Sequence, residues 1–317
     1  MKLLGFFILV ILQVDMSYAD AMLSNSKQAS KQASKQASKQ ASKQASKQAS
    51  KQASKQASSL VFILAGQSNM LGATQTTALE NGQLELLKLP KNVVFYYGWG
   101  QGENSVLRMS SFEGQGASLH QFGPEISFSH EIVKYFPDQK IILIKYAAPG
   151  SSTYDWAPEW VKNNKFTQPD PAYERLYDKL NAKIEHALKI EGVATKISAL
   201  LWFQGEADAA LHASAYKERT LYFVDRLKKH LASPKMCFIY GKIYDYQKVN
   251  TQIFSEWNTL AKIRQEQESI AKEYLSAYMV TTDDLSLLPD KLHFDEISQL
   301  EIGKRFAQTY AQRCKFK

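Results

Sequence analysis

The sequence predicts an α/β fold in which a doubly wound, mostly parallel sheet is flanked by helices on both faces. Three observations lead there. Six short runs rich in Val, Ile, Phe and Tyr recur between residues 60 and 282, and these side chains suit a pleated, half-buried surface. Several runs lack polar alternation, the pattern of strands covered on both faces. Between them lie stretches with apolar residues at i, i+3, i+4 and i+7, the period of a helix with one buried side. Alternation of this kind favours parallel strands joined by helical crossovers.

In chain order the expected strands are LVFILA at 60–65, NVVFYY at 92–97, KIILIKYA at 140–147, KISALLWF at 196–203, KMCFIYGKI at 235–243 and SAYMVTT at 276–282. Tyr173, Leu176, Tyr177, Leu180, Ile184, Ala187 and Leu188 share one helix face, and similar patterns span about 212–232, 255–273 and 296–312. In open α/β sheets ligands bind outside the carboxyl ends of the strands. The residues following each strand are therefore the place to search for chemistry.

The composition, 44% hydrophobic and 22% charged over 317 residues, is that of a globular protein. The N-terminal region reads differently. Residues 1–21 carry a basic Lys2, an apolar run from Leu3 to Val14, and the small-x-small patterns Ser17-Tyr18-Ala19 and Ala19-Asp20-Ala21. This is the layout of a secretory signal peptide. The run falls short of the roughly 20 residues of a membrane span, so the expectation is a secreted or periplasmic protein with no stable membrane insertion after cleavage. Residues 22–59 are expected to be a low-complexity linker, since Lys-Gln-Ala-Ser runs eight times between Lys27 and Ser58. With Ala as its only apolar residue the repeat offers no hydrophobic stripe to dock, although Lys, Gln and Ala all tolerate helix. It reads as a spacer first, and as a cationic tether weakly attracted to anionic surfaces second. Residues 60–317 are left as one domain.

The formal charge of +8 would ordinarily suggest a polyanionic partner. The repeat carries most of it. From Ser59 to Lys317 there are 30 basic and 29 acidic residues, which argues against nucleic acid as a partner. Cys237 and Cys314 either pair, as an oxidising compartment permits, or remain two buried thiols, and the second reading is preferred. Neither has metal-ligand or CxxC spacing.

Four post-strand segments concentrate functional groups. Gly66-Gln67-Ser68-Asn69-Met70 is a sharp turn into a helix, where a serine is either a nucleophile at the sheet edge or an N-cap. It is not the GxSxG elbow, because Met70 stands where the second Gly would be. Ala148-Pro149-Gly150-Ser151-Ser152 follows the third strand, and a glycine there lets the backbone approach a ligand and present its N–H. Trp202-Phe203-Gln204-Gly205-Glu206-Ala207-Asp208 places an amide and two acids just outside an apolar run. Last come Asp290 and His293, spaced so that the carboxylate can fold back onto the imidazole and fix its tautomer. Asp295 reads as the N-cap of the final helix.

GQSNM, WFQGEAD and DKLHFD, in this order and each after an expected strand, resemble the sialate O-acetylesterase-like branch of the SGNH hydrolases, which includes carbohydrate esterase family 6. Phe122-Gly123-Pro124-Glu125, Lys145 through Ser152 with Trp156 beyond, and Ile263-Arg264 with Gln265 and Gln267 extend the likeness over about 60–313. The resemblance implies a flavodoxin-like three-layer sandwich and a serine esterase that removes O-acetyl groups from an acetylated carbohydrate, acetylxylan or sialate in type, through an acyl-enzyme, with no cofactor. It implies Ser68 as nucleophile, His293 as general base and Asp290 as its orienting acid. The oxyanion donors it implies are the Ser68 and Gly150 N–H groups and the Gln204 side-chain amide. Pro149 departs from the Gly pair common in relatives and removes an N–H beside Gly150. Glu206 is the rival for the acid position, and is read as a brace of the nucleophile loop through backbone N–H groups.

Other classes are weaker. His130-Glu131 opens an HExxH pattern, but Lys134 occupies the second His position. Gly98, Gly100 and Gly102 follow a strand, but Glu103 stands in place of the third glycine of a dinucleotide fingerprint. A secreted glycan-binding protein on the same fold is the alternative, with Tyr96, Tyr97, Trp99, Tyr154, Trp156 and Trp160 as aromatic platforms for sugar rings or as core.

Overall fold

The computed structural model describes residues 31–32, 34–47, 59–80, 83–112, 121–160, 162, 165–193, 196–211, 214–249 and 259–314. Residues 1–21, where the signal peptide is expected, lie outside the described residues. The chain divides into two units, Met1–Ala57 and Ser58–Lys317. In the first, residues 31–32 and 34–47 are helical and exposed. Ser34, Ser38, Ser42 and Ser46 each donate a hydroxyl hydrogen to the carbonyl three residues earlier. These four serines of the repeat are thus satisfied within the helix itself.

In the second unit all six apolar runs form strands: β1 (Ser59–Gly66), β3 (Val93–Tyr97), β6 (Lys140–Ala147), β7 (Ala199–Phe203), β8 (Cys237–Gly241) and β9 (Ala277–Val280). With the short β4 (Leu107–Met109) they make a seven-stranded sheet in the order β4-β3-β6-β1-β7-β8-β9. Every neighbouring pair is parallel except β3 with β4. A separate two-stranded pairing joins β2 (Thr74–Gln75) to β5 (Gln121–Phe122).

Helices α1 (Ser68–Leu71), α2 (Glu125–Tyr135), α3 (Leu176–Glu191), α4 (Glu206–Ala210), α5 (Tyr216–His230), α6 (Leu260–Glu273) and α7 (Glu296–Arg313) complete the described domain. The expected helical patterns correspond to α3, α5, α6 and α7. The central strand β1 is buried from Val61 onward, as are Ile141 to Ala147 in β6 and all of β7 and β8. That explains the absence of alternation in these runs: both faces are covered.

One polar pair lies inside this apolar layer. Lys145 of β6 and Glu125 at the start of α2 are fully buried and meet at 2.5 Å. Lys145 also donates to the Leu71 carbonyl at 2.6 Å, and Glu125 accepts from the Gly123 N–H at 2.8 Å. Burial lowers the Lys145 pKa, and Glu125 opposes that shift. The pair ties β6 and α2 to the end of the turn that carries Ser68.

Cys237 and Cys314 form a disulfide, with their Cα atoms 6.1 Å apart. This corrects the preferred expectation of two unpaired thiols. The pairing was hidden because 77 residues separate the two cysteines and only the fold brings the start of β8 beside the end of α7.

Candidate active site

Three neighbouring strands end at one level, and this sets the site. Gly66 lies in register with Ala147 of β6 on one side and Phe203 of β7 on the other. The segments that follow, 67–71, 148–152 and 204–208, therefore leave from the same edge of the sheet. Gly66 has φ 139°, and a Cβ there would lie 2.0 Å from the Phe203 carbonyl oxygen. No larger residue fits that approach. It lets the chain turn at once, with the Gln67 N–H donating to the same carbonyl at 2.9 Å.

That turn singles out Ser68. From Val61 to Gly72 every residue is buried except Ser68. Its hydroxyl makes no hydrogen bond among the described residues, nor does its main-chain N–H. The helix it opens is a single turn, so the local turn, more than a helix dipole, presents the hydroxyl at the surface.

The His loop is built by Asp290. Its Oδ1 accepts from the main-chain N–H groups of Leu292 at 2.9 Å and His293 at 3.0 Å, while its Oδ2 faces His293 Nδ1 at 2.7 Å. Partial burial pushes the Asp290 pKa up, but the His293 N–H, the imidazole and the Leu292 N–H outweigh it and hold the carboxyl below its ordinary value. An ionised Asp290 keeps the proton on Nδ1 and leaves Nε2 as the basic nitrogen. Lys291, at φ 61°, makes the tight reversal between them.

Asn69 joins this loop to the serine turn. Its Nδ2 donates to Glu206 Oε1 at 2.7 Å and reaches the Leu292 carbonyl at 3.5 Å. The Phe294 N–H donates to its Oδ1 at 3.3 Å. The residue after Ser68 thus grips the main chain on both sides of His293. Tyr246 adds a second hold, its hydroxyl donating to the Leu292 carbonyl at 2.9 Å. Neither residue was singled out from the sequence. Asn69 stood in plain view within GQSNM, and Tyr246 carries no local signal.

Glu206 sits beneath this arrangement. It is 2% exposed, and its carboxylate meets the Asn69 amide and, at 3.4 Å, the Tyr246 hydroxyl. Burial raises its pKa, while Asn69 and the nearby His293 work in the other direction. The expected contact with the nucleophile loop runs through the Asn69 side chain and not through main-chain N–H groups.

The candidate oxyanion donors divide. The Gly150 N–H makes no hydrogen bond among the described residues, and Gly150 has φ 68° and is exposed. Its turn is held by two carbonyls: Pro149 accepts from the Tyr173 hydroxyl at 2.8 Å and Gly150 from Gln168 at 2.9 Å. Gln204 departs from the expectation. It is fully buried, and its amide donates to Asp208 at 2.5 Å and to the Ser151 carbonyl at 3.0 Å, with Gln67 Oε1 at 3.4 Å. Its two N–H bonds are already committed to fixed acceptors, which makes it a strut of the loop.

Asp295 accepts from the Ser298 N–H as the N-cap of α7. His130 Nε2 lies 3.0 and 3.1 Å from the Leu86 and Lys88 carbonyls, and Glu131 pairs with Lys134 at 2.7 Å. Among the described residues no group of three or more His, Cys, Asp or Glu side chains is placed to hold a metal ion, and no helix is long and apolar enough to cross a membrane. Of the aromatic residues, Tyr96, Tyr97 and Trp156 are core, whereas Trp99, Tyr154 and Trp160 are only partly buried.

The profile of one protein family, described as carbohydrate esterase, sialic acid-specific acetylesterase, matches residues 58–312. No curated protein matches the chain significantly. Among solved structures, a protein from Arabidopsis thaliana is similar with a TM-score of 0.60 and 19% identity, over 80% of this chain and 98% of its own. A carbohydrate acetylesterase from Xanthomonas citri is similar with a TM-score of 0.52 and 14% identity, over 79% of this chain and 56% of its own. At such identities the likeness to both is one of fold.

Proposed function

The chain belongs to the family of carbohydrate esterases described as sialic acid-specific acetylesterases and is a carbohydrate O-acetylesterase; from that premise we propose that it works through an acyl-enzyme on Ser68, with acetylxylan or an acetylated sialate as the type of substrate. The observation that carries this reading is the junction at Asn69, which fastens the only unburied residue of 61–72 to the main chain around His293.

Ser68 Oγ attacks the acetyl carbonyl carbon as its proton passes to His293 Nε2. The tetrahedral oxyanion is received by the uncommitted N–H groups of Ser68 and Gly150, each such donor being worth about 100 to 1,000-fold in turnover. His293 returns the proton to the sugar oxygen as the C–O bond breaks, leaving the acetyl group on Ser68. Water then repeats the sequence, giving acetate and free Ser68. Asp290 holds the imidazole tautomer throughout, and Glu206 stays behind Asn69 as a brace.

Residues 60–317 form the catalytic domain on this reading, behind a signal peptide at 1–21 and a spacer at 22–59, in a protein that is secreted or periplasmic. The composition of those first segments supports this organisation. Deleting Lys27 to Ser58 is expected to leave hydrolysis of a small soluble ester unchanged.

The decisive experiment is hydrolysis of nitrophenyl acetate by the wild type and by Ser68→Ala, followed by acetate release from a panel of acetylated glycans. Loss of turnover in a folded Ser68→Ala variant is expected. Near wild-type turnover in that variant overturns the mechanism, and release from acetylated xylan or sialate alone identifies the substrate.

A further inference from the structure

A cavity of about 570 Å³ opens at the start of α3, within the roughly 300–1,000 Å³ range of small-molecule sites. Its walls come from the loop after β3, from Tyr146 near the end of β6, and from the 171–172 turn with the first half of α3. Tyr173 connects it to the proposed chemistry, since its ring packs on Trp99 at 5.9 Å while its hydroxyl holds the Pro149 carbonyl. Tyr173, between the lining residues Ala172 and Glu174, thus links the cavity to the oxyanion turn.

The chemistry of that lining selects the ligand. Three cations border it, yet all are engaged. Lys183 donates to the Gly102 and Ser105 carbonyls at 2.9 and 3.0 Å, Lys179 to those of Pro171 and Ala172 at 2.9 and 3.2 Å, and Arg175 bonds Asp178 at 2.6 Å. Each lysine thus spends two of its three N–H groups on main-chain carbonyls and shapes the walls. Left without a side-chain hydrogen bond among the described residues are the Gln101 amide and the Glu103 carboxylate, whose charge is felt by Lys183, and beside them lies the partly buried ring of Trp99. A flat aromatic face next to a planar amide and a carboxylate matches a pyranose, with C–H groups on its face and hydroxyls at its rim.

We propose that this cavity is a sugar-binding subsite, with Trp99 as the stacking platform and Gln101 and Glu103 as hydroxyl partners. It holds a neighbouring sugar unit while the acetyl ester lies at Ser68. The enzyme's substrate is accordingly an acetylated oligosaccharide or polysaccharide and not a lone acetylated sugar. This rests on the reading of Ser68 as the esterase nucleophile.

The test uses the full chain with partially acetylated xylo- and chito-oligosaccharides of one, two and four units, and nitrophenyl acetate as a substrate that ignores the subsite. KM is expected to fall with length in at least one series, and Trp99→Ala to raise it about tenfold for the longer members, a larger factor than any change it makes in turnover of nitrophenyl acetate. Glu103→Ala, a change at an exposed position, should act in the same direction and covers the case that Trp99→Ala fails to fold. Binding of unacetylated tetrasaccharide to Ser68→Ala, followed by titration calorimetry, reads the subsite without any chemistry. No dependence on length in either series, or tetrasaccharide affinity equal in Ser68→Ala and in the doubly substituted Ser68→Ala, Trp99→Ala protein, overturns the proposal. Failure of the esterase reading would show separately, as nitrophenyl acetate turnover that survives Ser68→Ala.

Discussion

Glu206 and Asn69, 137 residues apart in the chain, meet at 2.7 Å beneath the serine turn. The contact gives the buried acid a task other than orienting the imidazole, which Asp290 already holds at 2.7 Å. Two carboxylates near one histidine therefore have separable duties, one toward the ring and one toward the loop that positions it.

Substituting each acid by its amide should separate them. Asp290→Asn presents an N–H or a weaker acceptor to Nδ1 and disturbs the tautomer, so kcat on nitrophenyl acetate should fall about 10,000-fold with little change in KM. Glu206→Gln keeps an oxygen for Asn69 and places its nitrogen where Oε2 lacks a partner among the described residues; a loss of no more than about tenfold is expected. A larger loss in Glu206→Gln than in Asp290→Asn reverses the two roles.

Glu206 should also leave a signature in stability against pH. Burial raises its folded pKa above the ordinary 4.5, so between 4.5 and the folded value the native state holds a proton that the unfolded chain has released. Stability falls as pH rises through that window. The Glu206→Gln variant, with no proton to lose at this position, would lack this dependence. Its melting temperature minus that of the wild type should increase from pH 4 to pH 7, and a flat difference would contradict the raised pKa.

The Lys145–Glu125 pair predicts a non-additive cycle. Lys145→Met leaves Glu125 as a buried charge and should cost about 3–5 kcal/mol in denaturant unfolding. Adding Glu125→Gln removes that charge while keeping an acceptor for the Gly123 N–H, so the double variant should be more stable than the single one. Additive losses would mean that Glu125 is relieved by water or by protonation.

Reducing the disulfide, or replacing both cysteines by alanine, should cost about 2–5 kcal/mol of stability. Turnover on nitrophenyl acetate at 25 °C should persist, because neither sulfur lies among the groups around Ser68 and His293. Melting curves with and without reductant check the first point and kinetics the second.

The strands that cross the core were legible because burial on both faces leaves a continuous apolar run, as in KIILIKYA, which is β6 residue for residue. β4 was not, since Leu107 and Arg108 are exposed at the sheet edge and pairing there needs no apolar pattern. Nor was α2, which starts after Pro124 with no side-chain cap and buries Glu125 and Ser129 among its apolar residues. At the site, Asp290 and His293 could be paired from spacing because their contact is local. Asn69 with Phe294, Tyr246 with Leu292 and Cys237 with Cys314 are set by the fold alone and have no signature along the chain. The commitment of the Gln204 amide to Asp208 was invisible for the same reason: the i, i+4 spacing was readable, but not which way the amide faced.

The bond between Cys237 and Cys314 closes a covalent ring, and both Asp290 and His293 lie inside it. A protease that cuts once anywhere between those cysteines opens the ring without releasing a fragment, so the histidine loop stays attached to the body that carries Ser68. Such a nicked molecule would run as one species until reductant is added and then part into two. Persistence in a protease-rich setting is thus a property of connectivity as much as of fold stability.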